Sequence, residues 1–119
     1  MPRVLVVEDE RHIRLLITST LRQRGYEVTE AKNGLEALHL LHNDTHFDLI
    51  ISDIRMPQMD GIRFLEASKQ HAPDVPVIIL SAYADQGTEA LEKGADFYIQ
   101  KPFATPNLVN LVREVAPAS

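Results

Sequence analysis

The 119-residue sequence contains no cysteine, which excludes disulfides, thiolate metal centres and cysteine nucleophiles, and nothing in it calls for secretion. It has no apolar run near the ~20 residues that a membrane-spanning helix needs. The start, Met1-Pro2-Arg3, passes directly into a strand-like run and then to an acid at Glu8, unlike a signal peptide. A soluble cytoplasmic protein without membrane partners is the expectation. Also missing is any cluster of basic residues: 12 Lys and Arg are scattered among 17 Asp and Glu, for a formal charge of -5. Nucleic acid and anionic lipid therefore find no electrostatic footprint here. No internal repeat or low-complexity segment is visible, and the one linker-like stretch is Ala116-Pro117-Ala118-Ser119.

The chain does have enough apolar material for a core. A hydrophobic content of 45% over 119 residues suits one globular domain spanning 1–119, whose tail at 116–119 reads as a possible linker start. Val4 to Val7, Leu49 to Ser52 and Val77 to Leu80 are β-branched-rich and nearly free of polar residues, as in strands buried on both faces. Glu27 to Ala31 alternates polar with apolar, and Phe97 to Gln100 mixes aromatics with an amide, as at sheet edges.

Helical patterns separate these strands. Ile13, Leu16, Ile17 and Leu21 fall on one face of the first helix, and Leu108, Leu111, Val112 and Val115 repeat the pattern near the end. Asn33-Gly34 and Asp60-Gly61 mark the second and third helix starts, Thr105-Pro106 reads as an N-cap followed by proline, and Gly25 and Gly94 stand at helix ends. The fourth helix reads as short, roughly Thr88 to Lys93 with Gly87 before it. Five β-α units with right-handed crossovers give an α/β fold, a doubly wound, flavodoxin-like parallel sheet ordered 2-1-3-4-5. Its ligands bind beyond the carboxyl ends of the first and third strands.

Polar residues collect at that rim. Glu8 and Asp9 follow the first strand, Asp53 ends the third, Ser81 follows the fourth and Lys101 the fifth. A carboxylate at the mouth of a buried strand is unfavourable without a role. Like charges at about 5 Å repel by roughly 3 kcal/mol at an effective dielectric near 20. Lys101 supplies one offsetting charge, and an oxygen-only, carboxylate-rich pocket suits Mg²⁺ for the rest.

The ordered set Glu8-Asp9, Asp53 with Met56-Pro57, Asp60-Gly61, Ser81-Ala82 and Lys101-Pro102-Phe103 resembles the response-regulator receiver domains of two-component phosphorelays over essentially the whole chain. The resemblance implies that Asp53 is the phosphoacceptor, taking its phosphoryl group from a phosphohistidine of a sensor histidine kinase or phosphotransfer protein. It implies Mg²⁺ held by Asp9, Asp53 and the backbone carbonyl of Arg55, with Glu8 acting through water. Lys101 and the Ser81 hydroxyl would contact phosphoryl oxygens. Ser81 and Tyr98 would move together as the switch, Tyr98 rotating inward to control an output domain or partner. A cis Lys101-Pro102 peptide is implied as well.

Each residue also has a plainer reading. Asp53 alone would suit a turn, and Glu8 or Asp9 would suit a cap on the first helix. His39, His42 and His46 read as a solvated face and not a metal cluster. An FMN binder would need a glycine- and hydroxyl-rich phosphate loop where Glu8-Asp9-Glu10 stands. An aspartyl-phosphate phosphatase would need an acid at Arg55. A pseudo-receiver used only for protein contacts would be expected to lack an acid, the hydroxyl or the lysine, and all are present.

Overall fold

The computed structural model describes residues 1–43, 46–55 and 59–118. Its elements alternate strictly: β1 (Arg3–Val7), α1 (Arg11–Gln23), β2 (Glu27–Ala31), α2 (Gly34–His42), β3 (Leu49–Asp53), α3 (Gly61–His71), β4 (Val77–Ser81), α4 (Ala84–Glu92), β5 (Phe97–Gln100) and α5 (Thr105–Val115). All pairings are parallel and the order is β2-β1-β3-β4-β5, the doubly wound sheet expected from the sequence. The central strands are sealed: Val4 to Val7, Leu49 to Ile51 and Val77 to Leu80 have no exposed surface. The edge strand β5 leaves Phe97 exposed, in keeping with its mixed composition.

Strand alternation divides the core between two faces. Leu5, Val7, Ile50, Val77 and Ile79 pack with Leu41, Phe64, Leu65 and Ala90 of α2, α3 and α4. Val4, Val6, Leu49, Ile51, Ile78 and Leu80 pack with Ile17, Leu21, Leu108 and Val112 of α1 and α5. Leu16 departs from the expected stripe and stays exposed. The buried arc of α1 is instead Ile17, Thr18 and Leu21, since Leu16 lies about 100° around the helix from Ile17.

Two local expectations are corrected. The fourth helix is not confined to Thr88–Lys93: it runs from Ala84 to Glu92, with Gly87 buried inside it. A Cβ on Gly87 would overlap the Tyr98 ring, so this glycine answers a packing demand and does not mark a boundary. Thr105 is the first residue of α5 and not its N-cap, which is Ala104 without a side-chain bond. Near the end of the chain, Ala116 is buried and Ala118 packs against the α1–α5 core.

Other boundary signals hold. Asn33 Oδ1 accepts from the Glu36 amide at 2.8 Å and Asp60 Oδ1 from the Arg63 amide at 2.9 Å, each capping its helix. Gly25 and Gly94 carry φ of +90° and +113° after α1 and α4, where side chains are disfavoured.

Gly61 has the tightest role. Its N–H donates to the Ile54 carbonyl at 2.7 Å, folding the start of α3 onto the end of β3. A Cβ there would lie 2.5 Å from Ile54 Cα and overlap the Asp53 carbonyl oxygen. Both are backbone atoms that cannot give way. Gly61→Ala should therefore lower the free energy of unfolding by about 1–3 kcal/mol, as overpacking does, read from urea denaturation midpoints; unchanged stability would show that the loop is free to shift.

Candidate functional site

Register brings the polar strand ends to one rim. Val7 pairs with Ser52, Asp53 with Leu80 and Ser81 with Gln100. Single backbone bonds then extend the ladder past the strands: Glu8 N–H to Ala31 O at 3.0 Å, Ile54 N–H to Leu80 O at 3.2 Å and Lys101 N–H to Ser81 O at 2.7 Å. Each functional side chain thus leaves the sheet from a pinned backbone.

Lys101 joins two of the acids. Its Nζ lies 2.7 Å from Glu8 Oε1 and 3.2 Å from Asp53 Oδ2. Glu8 is wholly buried and Asp53 is 6% exposed, so neither carboxylate can rely on water for compensation. Asp53 Oδ1 accepts from the Ile54 amide at 2.8 Å, and Glu8 Oε2 from the Glu10 amide at 3.2 Å. Asp9 is exposed, yet one oxygen from each of Glu8, Asp9 and Asp53 lies within 4.8 Å of the others. This oxygen-only trio, with one member open to solvent, fits a hard divalent cation such as Mg²⁺. It is the one such acid or histidine group found among the described residues. His39, His42 and His46 are exposed as expected, and the His42 ring meets His71 edge-on at 4.7 Å.

Electrostatics follow burial. Desolvation is the leading cause that lifts the Glu8 pKa from 4.5 to about 7; the Lys101 hydrogen bond opposes this and the Asp53 charge adds to it. For Lys101, desolvation would lower the pKa, but the Glu8 hydrogen bond and the charges of Asp53 and Glu8 outweigh it and the net shift is upward.

The plainer reading of Glu8 and Asp9 as helix caps does not hold. Glu10 caps α1, its carboxylate accepting from the His12 and Ile13 amides at 3.1 and 2.8 Å, and Asp9 is left free of that duty. Arg14 was not singled out by sequence. From α1 it donates through Nη1 to the Glu8 carbonyl at 2.8 Å and pairs with Glu30 at 3.3 Å. One arginine within an amphipathic helix carries no distinguishing signal.

Ser81 and Tyr98 are near the rim but do not bond to the carboxylates. Ser81 Oγ bonds the Tyr83 backbone and Gln86 Oε1, each at 3.1 Å. The Tyr98 ring already rests against Gly87, its hydroxyl buried and without a hydrogen-bond partner. Arg55 extends over the Tyr83 ring at 4.5 Å, beside an open cleft of about 670 Å³ also lined by Asp9, Asp60 and Arg63. The Lys101–Pro102 peptide is cis. Met56 and Pro57 of the sequence motif lie outside the described residues.

Fold and rim together define a doubly wound α/β domain built around an acidic pocket bridged by one half-buried lysine. Residues 4–113 match the family described as the response regulator receiver domain. The chain belongs to that family, the receiver domains of two-component response regulators. It is 43% identical over 112 residues to the regulatory protein AtoC of Escherichia coli, covering 92% of this chain and 24% of AtoC. With the transcriptional regulatory protein PrrA of Mycobacterium leprae identity is 41% over 114 residues, covering 94% and 48%. The chain therefore spans about a quarter of the first of these curated relatives and about half of the second. Among solved structures, the response regulator TrrA of Thermotoga maritima, in complex with Mg²⁺ and BeF, superposes with TM-score 0.88 at 35% identity, covering 97% of this chain and 99% of that one. Chemotaxis response regulator CheY4 of Vibrio cholerae gives TM-score 0.89 at 34% identity, covering 97% and 98%.

The raised Glu8 pKa sets a pH dependence. Below pH 4.5 Glu8 is protonated in both folded and unfolded chains. Between 4.5 and about 7 the folded chain retains a proton that the unfolded chain has released, so stability falls as pH rises. In metal-free buffer, the stability of the wild type relative to Glu8→Gln should decline across this window; a flat difference would contradict it.

Proposed function

We propose that Asp53 is the phosphoacceptor of a receiver domain occupying residues 1–119, taking a phosphoryl group from the phosphohistidine of a sensor histidine kinase or phosphotransfer protein. The observation that carries this is the pairing of buried Asp53 with Lys101 Nζ at 3.2 Å beside Glu8 and Asp9. An Asp53 carboxylate oxygen forms the new bond to phosphorus as the phosphorus–nitrogen bond breaks and its electron pair returns to the imidazole. Lys101 neutralises charge on a phosphoryl oxygen, and the Ser81 hydroxyl, after reorienting, donates to another. Backbone N–H groups after Asp53 and at Ala82 complete the cradle. This is phosphoryl transfer by positioning and charge stabilisation.

Asp9, Asp53 and the Arg55 carbonyl would hold Mg²⁺, with Glu8 acting through an intervening water. The ion supplies positive charge against the phosphoryl oxygens when bound. The TrrA relative was solved with Mg²⁺ and BeF, which supports carrying that chemistry to this chain. No helix among the described residues is long and apolar enough to cross a membrane. The relatives are longer regulatory proteins, so the phosphorylated domain is read as controlling an output domain or partner through Ser81 and Tyr98.

Incubation with acetyl phosphate and Mg²⁺ tests this by intact-protein mass. The wild type should gain the mass of one phosphoryl group and Asp53→Asn should not. Equal behaviour of the two, modified or unmodified, would favour a protein-interaction module that uses the same fold.

The Arg55–Tyr83 stack bears on the lifetime of the acyl phosphate. It stands at the open side of the site, where an attacking water would approach, and an exposed cation–π pair is worth about 0.5–1 kcal/mol. Arg55→Ala and Tyr83→Ala should each speed loss of the phosphoryl group by roughly two- to five-fold. The double variant should go little further. Additive effects in a discharge time course would mean that the two side chains act separately.

A further inference from the structure

We propose that Gln86 is a positioning residue for Ser81: it holds the hydroxyl on the α4 side, and a phosphoryl group at Asp53 must break that bond, which carries the event into the first turn of α4. The inference rests on the receiver reading of Asp53.

A serine hydroxyl has one proton to donate and two lone pairs to accept with. The Tyr83 N–H, at 3.1 Å from Ser81 Oγ, occupies one lone pair. The proton is shared between the Tyr83 carbonyl and Gln86 Oε1, both at 3.1 Å. All three contacts point to the residue that caps α4 and to its first turn. None reaches Glu8, Asp53 or Lys101. Ser81 is 1% exposed, so water does not compete for these bonds.

The Tyr83 contacts are local, two residues along the same turn, and will follow the Ser81 backbone. Gln86 differs because it is a side chain of the helix itself. It is also next to Gly87, the residue whose missing Cβ admits the Tyr98 ring, and the Gly87 N–H donates to the Tyr83 carbonyl at 3.2 Å. Residues 86 and 87 therefore touch both members of the switch pair in one helical turn. Movement released at Gln86 reaches Tyr98 without passing through the core. The buried, unpartnered Tyr98 hydroxyl is unfavourable as it stands, so the ring gains if that turn rearranges.

Titration of the full chain with beryllofluoride and Mg²⁺, followed by backbone amide NMR, tests the proposal. Gln86→Ala removes the restraining bond, and Gln86→Met does so while keeping the side-chain length. Both should bind beryllofluoride about two- to ten-fold more tightly than wild type, the range expected for one net hydrogen bond. Gln86→Glu retains an acceptor and should bind no more tightly than wild type. Amide shifts at Ala84 to Gly87, large in the wild type on binding, should shrink in the Ala and Met variants, and the folding equilibrium constant of each ligand-free variant, read from urea unfolding, should fall by about the same two- to ten-fold by which binding tightens. Wild-type affinity together with wild-type shifts at 84–87 in those variants would overturn the role of Gln86 and leave Asp53 untouched. If the wild type shows no response that Asp53→Asn abolishes, the receiver reading fails first and this inference with it.

Discussion

Lys101 Nζ bridges Glu8 at 2.7 Å and Asp53 at 3.2 Å, and the rim of this domain is arranged around that triangle. Two buried carboxylates from adjacent strands cannot both be desolvated without a counter-charge. A single lysine from the fifth strand's end, 93 residues from Glu8 in the chain, supplies it. The balance is incomplete, because Asp9 adds a further negative oxygen within 4.8 Å of the other two acids. A site with surplus negative charge and one solvent-open acid is poised for a cation, and then for an anion held against that cation and the lysine.

Holding this triangle requires a rigid frame. The backbone bonds that extend the ladder to Glu8, Ile54 and Lys101 fix where each side chain departs. Gly61 lets α3 fold against the backbone that follows Asp53, and Arg14 ties the Glu8 carbonyl to α1. The side toward α4 is built differently. Ser81 bonds a helix side chain, and Tyr98 lies in a notch left by Gly87 with an unpaired hydroxyl. The acid cluster is over-determined by its backbone, whereas the Ser81–Tyr98 side depends on a few weak and replaceable contacts. That asymmetry suits a domain whose chemistry stays fixed while its outer face changes.

Much of this was legible in the sequence because strand patterns are local. The β-branched runs at Val4, Leu49 and Val77 and the polar residues that end them fixed strand order and rim together, since right-handed crossovers leave few ways to arrange five β-α units. Side-chain orientation was not legible. Gly87 reads as a helix boundary because its cause, the Tyr98 ring, comes from another strand. Glu8 and Asp9 read as cap candidates until the backbone shows that Glu10 is the residue that caps α1. Gln86 and Arg14 carry no pattern at all, and their roles exist only in three dimensions.

The charge imbalance at the rim is open to direct measurement through the effect of Mg²⁺ on unfolding in urea at matched ionic strength. A cation bound only by the folded chain adds RT ln(1 + [Mg²⁺]/Kd) to its stability. The wild type should gain stability logarithmically with Mg²⁺ in the millimolar range. Asp9→Asn should be more stable than wild type without metal, because one repelling charge is gone, and should lose most of the Mg²⁺ increment. A wild-type stability indifferent to Mg²⁺, or an increment that survives intact in Asp9→Asn, would contradict an acid cluster balanced by Lys101 and a divalent cation.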